Sequence, residues 1–147
     1  KLLKNNGLIF ISVPNIGGLS FALWKCKWFH LDLPRHLFQF SPKSISFLLE
    51  NNGFEIVGIN HHSLEFNPFG FLQSIYNSFG FEFNFLYKTL KHKARKKGFA
   101  GYAALLVTII TLPIMLPLAV ILSYLFSALR RGDTIQVLAR KKSQGRQ

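Results

Sequence analysis

The stretch that decides the fold reads LLKNNGLIFISVPN, residues 2–15. Gly7 marks a turn, and the six residues after it are almost all apolar and rich in β-branched side chains. A short run of this kind predicts a strand buried on both faces of a sheet. Pro14 ends the strand because proline has no amide hydrogen to give to a sheet ladder. The loop that follows lies at the strand's carboxyl end, the edge where open α/β sheets bind ligands.

The same stretch resembles a known family. Leu2-Leu3-Lys4 and Gly7, followed by a hydrophobic strand and Pro14-Asn15, are similar to the fifth-strand region of class I S-adenosylmethionine-dependent methyltransferases. Asn5-Asn6 stand where that family usually has proline and glycine. The resemblance implies a Rossmann-like α/β sheet, of which this chain supplies strands five to seven. It also implies methyl transfer from S-adenosylmethionine to an oxygen, carbon or nitrogen acceptor.

The segment from Leu19 to Phe40 is crowded with aromatic and charged side chains. Its first six residues predict a short helix. The rest predicts an ordered loop beside the sheet, because Pro34 excludes a long regular helix. The wording Trp28-x-x-x-Asp32-x-Pro34-Arg35-His36-Leu37-x-x-Phe40-Ser41 strongly resembles a run in the ubiquinone-methyltransferase-like branch of the same family, and it is the most specific signature in the chain.

The functional interpretation makes this loop the acceptor side of the site. The candidate substrate-binding residues are Asn15, Trp28, Asp32 and Arg35, and the candidate catalytic residue is His36. An imidazole titrates near neutrality and can take a proton from an attacking hydroxyl, while a guanidinium can hold an anionic acceptor. The alternative is structural: Asp32 and Arg35 form an ion pair, and His36 caps a backbone carbonyl. Methyl transfer depends mostly on alignment of the acceptor, so it does not require a strong base.

Residues 41–60 predict one helix followed by one strand. Ser41 is a favourable N-cap, Pro42 suits the first helical position, and Gly53 supplies a left-handed stop. Glu55 to Asn60 then read as a strand. A helix and strand of this kind resemble the pair that brings in the sixth strand of the methyltransferase sheet.

We predict no metal site and no cofactor-binding residue in this chain. Adjacent histidines on a strand point to opposite faces, so His61, His62 and Glu65 do not form a rigid ligand set. Cys26 is the one cysteine, which excludes an intramolecular disulfide and a cysteine-based zinc site. The resemblance implies S-adenosylmethionine as cofactor, with its glycine-rich loop on the first two strands, upstream of these residues.

Residues 66–132 are predicted to form an amphipathic and hydrophobic helical insertion between the last two strands. The first part is aromatic, and Gly70 and Gly80 predict a break into two short helices. These helices form either a cap over the mouth of the site or a pair that lies in the membrane interface.

The second part of the insertion, Tyr102 to Leu129, contains no charged residue. It is long enough for one kinked membrane span but too short for two crossings. Because Pro113 and Pro117 interrupt it, we predict a re-entrant hairpin that turns near these prolines and returns to the side it left. A buried hairpin of a soluble protein is the alternative.

The charge of the chain is strongly basic and unevenly placed. The net charge is +12, and residues 88–147 hold twelve of the 18 basic residues but one acidic residue. The clusters Lys91–Lys97 and Arg130-Arg131 bracket the uncharged run as juxtamembrane charges do. We therefore predict membrane lipids as partners through residues 66–131, and no nucleic acid. The positive-inside tendency places the catalytic part on the cytoplasmic side.

The predicted organisation has four parts: the C-terminal half of a methyltransferase core at 1–65, the insertion at 66–132, the final strand at 133–141 and a basic tail at 142–147. In the family, the seventh strand inserts antiparallel between the fifth and sixth, and residues 134–140 look like that strand. The expected function is a membrane-associated methyltransferase, of which this part alone is inactive, acting on a lipid, quinone or lipid-linked glycan acceptor. The alternative is a non-catalytic membrane anchor or scaffold with an α/β domain.

Overall fold

The computed structural model of the protein describes residues 3–33, 35–92 and 98–143. Three features of the sequence predictions lie outside these residues: Pro34, the basic cluster at 93–97 and the end of the tail at 144–147. The described residues form a mixed α/β structure with a three-stranded antiparallel sheet and one long apolar helix.

The sheet has the order β1-β3-β2, where β1 is Leu8–Pro14, β2 is Phe54–Asn60 and β3 is Thr134–Lys141. The central strand β3 runs antiparallel to both neighbours, with Val13 opposite Ile135 and Ile59 opposite Val137. The prediction that residues 134–139 pair with the strand at 8–13 is confirmed. The strand β3, which is last in the described sequence, thus lies between β1 and β2 and pairs with both, while β1 and β2 do not pair with each other.

The helices begin and end mostly where local chemistry predicts. The described helices are α1 (Leu19–Trp24), α2 (Pro42–Asn51), α3 (Asn67–Ser78), α4 (Phe85–Leu90) and α5 (Gly98–Ala128), with 3-10 turns at Lys25–Lys27 and Phe29–Leu31. At the start of α2, the Ser44 amide donates to Ser41 Oγ at 3.2 Å, and the Ser41 amide donates to Ser44 Oγ at 2.9 Å. This capping box satisfies two amides that the helix leaves unpaired, and it confirms the predicted N-cap.

The core of the sheet lies under α2. Ile45 and Leu49 of α2 pack on Ile135, Val137 and Ala139 of β3, all of them buried. These central β3 side chains lose nearly all contact with water, so this face contributes most of the apolar burial of the α/β part.

The opposite face of the sheet is open in the described residues. Leu8 and Phe10 of β1 are 54% and 61% exposed, and Val57 of β2 is exposed as well. The prediction of a first strand buried on both faces is therefore wrong for this part of the chain. Its physical reason is that α2 covers one face, and no described element covers the other.

The insertion leaves the sheet at β2 and returns to it at β3. Helices α3 and α5 run antiparallel, because Asn67 at the start of α3 donates to Ser127 Oγ at 3.1 Å and Tyr76 near its end lies 3.0 Å from Thr111 Oγ1. Gly80, with φ of 80°, ends α3 as predicted, but Gly70 lies inside the helix and does not break it.

The predicted re-entrant hairpin is wrong, because α5 is one continuous helix that passes through both prolines. Pro113 and Pro117 are four residues apart and lie on the same exposed helix face. The opposite face packs against α3 through Thr108, Ala119 and neighbouring side chains, which holds the helix together where the prolines remove backbone bonds.

Helix α5 is long and apolar enough to cross a membrane. It has 31 residues, a length of about 46 Å at the usual rise per residue. Its most apolar window has a mean hydropathy of 2.7, and 11% of that window is buried inside the structure. The alternative prediction, a buried hairpin of a soluble protein, does not match a continuous helix that is mostly exposed in the described residues.

Candidate functional site

A cavity of about 410 Å³ lies where β1 ends and β3 begins. Ser12, Val13 and Pro14 line it from β1, and Thr134 lines it from β3. Since β3 is antiparallel, its first residue meets the carboxyl end of β1 at one edge of the sheet. This is the edge at which the sequence predicts ligand binding.

The polar wall of the cavity includes three of the five predicted site residues, Asp32, Arg35 and His36. Asp32 has a left-handed backbone with φ of 32°, and its carbonyl accepts from the Arg35 and His36 amides at 2.9 and 3.3 Å. This tight turn places all three side chains on the same side of the loop, beside the end of β1.

Contacts within the polar wall match the structural alternative from the sequence. Arg35 Nη1 lies 3.2 Å from Asp32 Oδ2, and His36 Nδ1 lies 3.3 Å from the His30 carbonyl oxygen. The Arg35 side chain is 68% exposed, so the ion pair adds little stability and leaves guanidinium donors free to meet a ligand.

The His36 contact determines which ring nitrogen carries the proton. A backbone carbonyl can only accept a hydrogen bond, so Nδ1 is the protonated nitrogen of the neutral ring. Nε2 is then the nitrogen with a free lone pair, and no described residue bonds to it. The residue that caps the loop is therefore also able to accept a proton from a bound ligand.

Four aromatic residues, Phe29, Phe66, Phe69 and Tyr87, form the aromatic wall of the cavity. Phe29 meets Phe69 and Tyr87 edge-on, at centroid distances of 5.4 and 5.5 Å, and Phe69 and Tyr87 are 6.3 Å apart. Because α3 supplies Phe69 and α4 supplies Tyr87, the helices of the insertion cover the cavity, as the cap interpretation predicts. A cavity with one aromatic and one polar wall suits a ligand with an apolar body and a polar group.

Asn15 and Trp28 do not line this cavity. The Asn15 amide nitrogen donates to the Gly132 carbonyl at 2.8 Å, and its Oδ1 accepts from the Gly17 amide at 3.0 Å. Trp28 is fully buried and meets Phe21 edge-on at 5.5 Å. Both side chains therefore hold the loops behind the cavity, and their predicted role in substrate binding gains no support from this geometry.

His30 lines the cavity, although the sequence analysis did not select it. Burial lowers the pKa of its imidazole to about 4, an effect that a hydrogen bond with the Phe66 backbone partly opposes and the nearby His36 reinforces. The ring is therefore neutral at physiological pH and a weak base. The one sequence feature that indicates its burial is that it lies between two large apolar residues, Phe29 and Leu31, in a loop rich in aromatic side chains.

Asp133 is a second residue that the sequence did not single out, since it was included only as the first residue of the final strand at 133–141. Its side chain is buried at the junction of α5 and β3, and burial raises the pKa of the carboxyl to about 7, which the nearby Ser20 hydroxyl and Trp28 indole partly oppose. No described donor reaches either carboxylate oxygen with ordinary hydrogen-bond geometry. An unpaired carboxyl in such a place favours its protonated form.

No group of three or more metal-ligating side chains occurs within residues 3–33, 35–92 and 98–143. His62 instead stacks on Tyr124 of α5 at a centroid distance of 4.4 Å, and its Nδ1 lies 3.3 Å from Ser127 Oγ. Comparison of the chain with protein-family models, curated proteins and solved structures finds no match.

Proposed function

We propose that this chain forms the acceptor side of a membrane-associated, S-adenosylmethionine-dependent methyltransferase. One observation carries the proposal: the cavity at the carboxyl end of β1 is lined by Asp32, Arg35 and His36, the residues of the most specific family signature. The insertion of an antiparallel β3 between β1 and β2, the arrangement expected for the last three strands of that family, also supports it.

The residues of this chain do not fit the cofactor. The loop after β1 contains Gly17 and Gly18, but the Gly17 amide donates to Asn15 Oδ1 and the Gly18 amide donates to the Asn15 carbonyl, both at 3.0 Å. Neither amide is available to a ligand. The resemblance places the cofactor on the first two strands of the family fold, so we assign to this chain the binding and orientation of the acceptor alone.

In this proposal each wall of the cavity has a distinct task. The aromatic wall holds the apolar body of the acceptor, and Arg35 binds an anionic or polar group on it. His36 Nε2 accepts the proton that the acceptor loses, and the His30 carbonyl keeps the imidazole in the tautomer that leaves Nε2 free. A lipid, quinone or lipid-linked glycan is the acceptor class that agrees with the aromatic wall of the cavity and with a chain that also carries a long apolar helix.

Membrane association through residues 66–131 is part of the proposal. The length, apolarity and exposure of α5 support it, as do the basic residues that precede and follow the helix. The cytoplasmic placement of the α/β part follows from the positive-inside tendency of those residues.

A non-catalytic anchor or scaffold is the second candidate, and one observation favours it. The Asp32–Arg35 ion pair and the His36 contact with the His30 carbonyl give all three polar-wall residues a structural partner. A scaffold would keep these contacts and bind no acceptor.

A transfer assay distinguishes the two functions. Full-length protein is incubated with methyl-labelled S-adenosylmethionine and membrane lipid extract, and label in the lipid fraction is measured. We expect His36→Ala to reduce turnover by about a hundredfold, the lower range for loss of a general base, and Arg35→Ala to raise the acceptor concentration needed. Lys43→Ala, an exposed change on α2, is the control.

Cofactor affinity is measured on the same variants and should stay within about twofold, because these residues lie on the acceptor side. Unchanged turnover in His36→Ala, or an unchanged acceptor requirement in Arg35→Ala, assigns that residue to the loop structure alone. Absence of label in every lipid fraction, with cofactor bound, would favour the scaffold.

A further inference from the structure

Helix α5 has two unlike faces. The side against α3 carries small buried residues, among them Ala104, Thr108, Ala119 and Ser123. The other side carries large apolar residues that are exposed at nearly every turn, including Tyr102, Leu106, Ile110, Ile114, Ile121 and Leu125. We call this second side the apolar strip. The apolar strip runs the length of the helix and carries no charged residue. Its side chains are exposed because no described element covers them.

The loop segment from Lys25 to Phe29, which follows α1, lies on the far side of α3 from α5. Tyr76 of α3 contacts α5 at Thr108 and Thr111, whereas the next residue, Asn77, donates to the Lys27 carbonyl at 2.9 Å. Ser74, on the same face as Asn77, accepts from the Phe29 amide at 3.0 Å. Helix α3 is therefore a layer between the apolar strip and the loop.

This layering places lysines level with a part of α5 about one third of the way along the helix. Lys25 and Lys27 are exposed and lie beside the part of α3 that meets Thr108. Thr108 is about 15 Å from the first residue of α5, well inside the length of the helix. If α5 crossed a bilayer with its neighbours attached, these ammonium groups would lie at hydrocarbon depth, where a charge is strongly unfavourable.

Basic residues at both ends of α5 fit one membrane surface better than two. Lys91 and Lys88, the latter paired with Glu82 at 2.7 Å, precede the helix, and Arg130 and Arg131 follow it. A crossing helix would leave one pair on the non-cytoplasmic side, against the positive-inside tendency. A helix parallel to the surface brings both pairs to the phosphates of one leaflet, where each cation gains from anionic lipid.

We infer that α5 lies in the plane of the bilayer interface, with the apolar strip among the acyl chains of one leaflet and its basic ends on anionic phospholipid headgroups. The loop and the cavity then face water, and the chain does not cross the bilayer. This inference rests on the proposed membrane association but not on the proposed methyl transfer.

Depth measurement separates a helix in the plane from a helix that crosses. In a Cys26→Ser background, single cysteines replace Leu106, Ile114 and Leu125 of the apolar strip and carry an environment-sensitive fluorophore. The full chain is bound to phosphatidylcholine vesicles with and without phosphatidylserine, and quenchers at headgroup or acyl depth report the position of each label. Phe47→Cys, an exposed apolar residue of α2, is the control outside the strip.

We expect the three strip positions to have the same shallow depth and the control to stay in water. A label at Ile114 that lies much deeper than those at Leu106 and Leu125 would establish a crossing helix and overturn the inference. Strip labels that remain in water would overturn it together with the membrane association. The assay contains neither methyl donor nor acceptor, so failure of the proposed chemistry would not alter its outcome.

Two double variants test the partner chemistry on the same vesicles. Ile110→Ser with Ile114→Ser should weaken binding by about tenfold or more, because two exposed side chains lose their burial in lipid. Arg130→Gln with Arg131→Gln should weaken binding about fivefold per residue on phosphatidylserine vesicles alone. Leu48→Ser on α2 is the matched control, and circular dichroism checks that each variant is folded. Equal binding of the arginine variant and the unmodified chain would exclude an anionic surface as the partner.

Discussion

Burial acts in opposite directions on two single residues beside the cavity. It raises the pKa of the Asp133 carboxyl to about 7 and lowers the pKa of the His30 imidazole to about 4. Between about pH 4 and 6.5, folded Asp133 holds a proton that the unfolded chain has lost, and folded His30 lacks a proton that the unfolded chain holds. Their contributions to the pH dependence of stability therefore oppose each other in this range.

Replacing either residue by asparagine should reveal how the other one alone changes the free energy of unfolding with pH. In Asp133→Asn the free energy of unfolding should rise from pH 4 to 6.5 by up to about 1.4 kcal/mol per pH unit more steeply than in the unmodified chain, and in His30→Asn it should fall by a similar amount. Asp133→Asn should also be the more stable protein at pH 8, because the charge that burial disfavours is gone. Urea unfolding across this pH range measures both. The exposed Glu55→Gln is the control, and an unaltered pH profile in both variants would refute the argument.

Glycine is required at position 70 because the buried His30 ring packs directly against its backbone. An added Cβ at this position would collide with His30 Nε2, so the ring would have to leave its place. Alanine normally stabilises a helix relative to glycine by about 1 kcal/mol, but Gly70→Ala should destabilise this protein by about 1–3 kcal/mol. In a double-mutant cycle with His30→Ala, the loss should largely disappear. Gly58→Ala, where an added Cβ meets open space, should be close to neutral.

At the level of elements, the sequence predicted what local chemistry determines. Ser41, Pro42 and Gly53 bound a helix through their own backbone preferences, and those predictions hold. The positions of His30 and Asp133 depend on contacts with Gly70 and Ser20, which are far away in the chain, so spacing alone did not predict them. The turn predicted near the prolines of α5 failed because packing against α3 outweighs a local preference.

The two prolines of α5 should therefore be dispensable for the fold. Pro113→Ala with Pro117→Ala restores two backbone amides on the exposed face of a helix that is already continuous, so the helix should become more stable by up to about 3 kcal/mol per site. Thermal unfolding followed by circular dichroism in detergent micelles measures this effect. Leu118→Ala, which changes an exposed residue of the same helix without altering its backbone hydrogen bonds, is the control. A loss of helical signal in the proline variant would mean that the chain needs a turn there after all.

For the whole molecule, the order of the strands is the one that the family resemblance implied, but the shape of the site depends on which faces the helices cover. The resemblance predicted β3 between β1 and β2. The cavity, in contrast, is completed by Phe69 and Tyr87 of the insertion, for which the sequence indicated helices without fixing their position. The open face of β1 was missed because an apolar run does not show what covers it.

The chain of residues 1–147 alone should not bind S-adenosylmethionine. The reason is the loop after β1, where the amides of Gly17 and Gly18 are already bonded to Asn15. Calorimetric titration with the cofactor should give no heat of binding, while a methyltransferase of known cofactor affinity serves as the positive control. Micromolar affinity of the chain would show that its own residues hold the cofactor.

The place of β3 in the middle of the sheet determines the order of events during synthesis. In the finished sheet β1 and β2 each pair with β3 and not with each other, so the native sheet cannot form before β3 is synthesised. Everything between β2 and β3, including α5, leaves the ribosome before the sheet can close. If α5 binds lipid as we propose, a nascent chain offers its most apolar segment to the bilayer at a time when its α/β part does not yet have its native sheet.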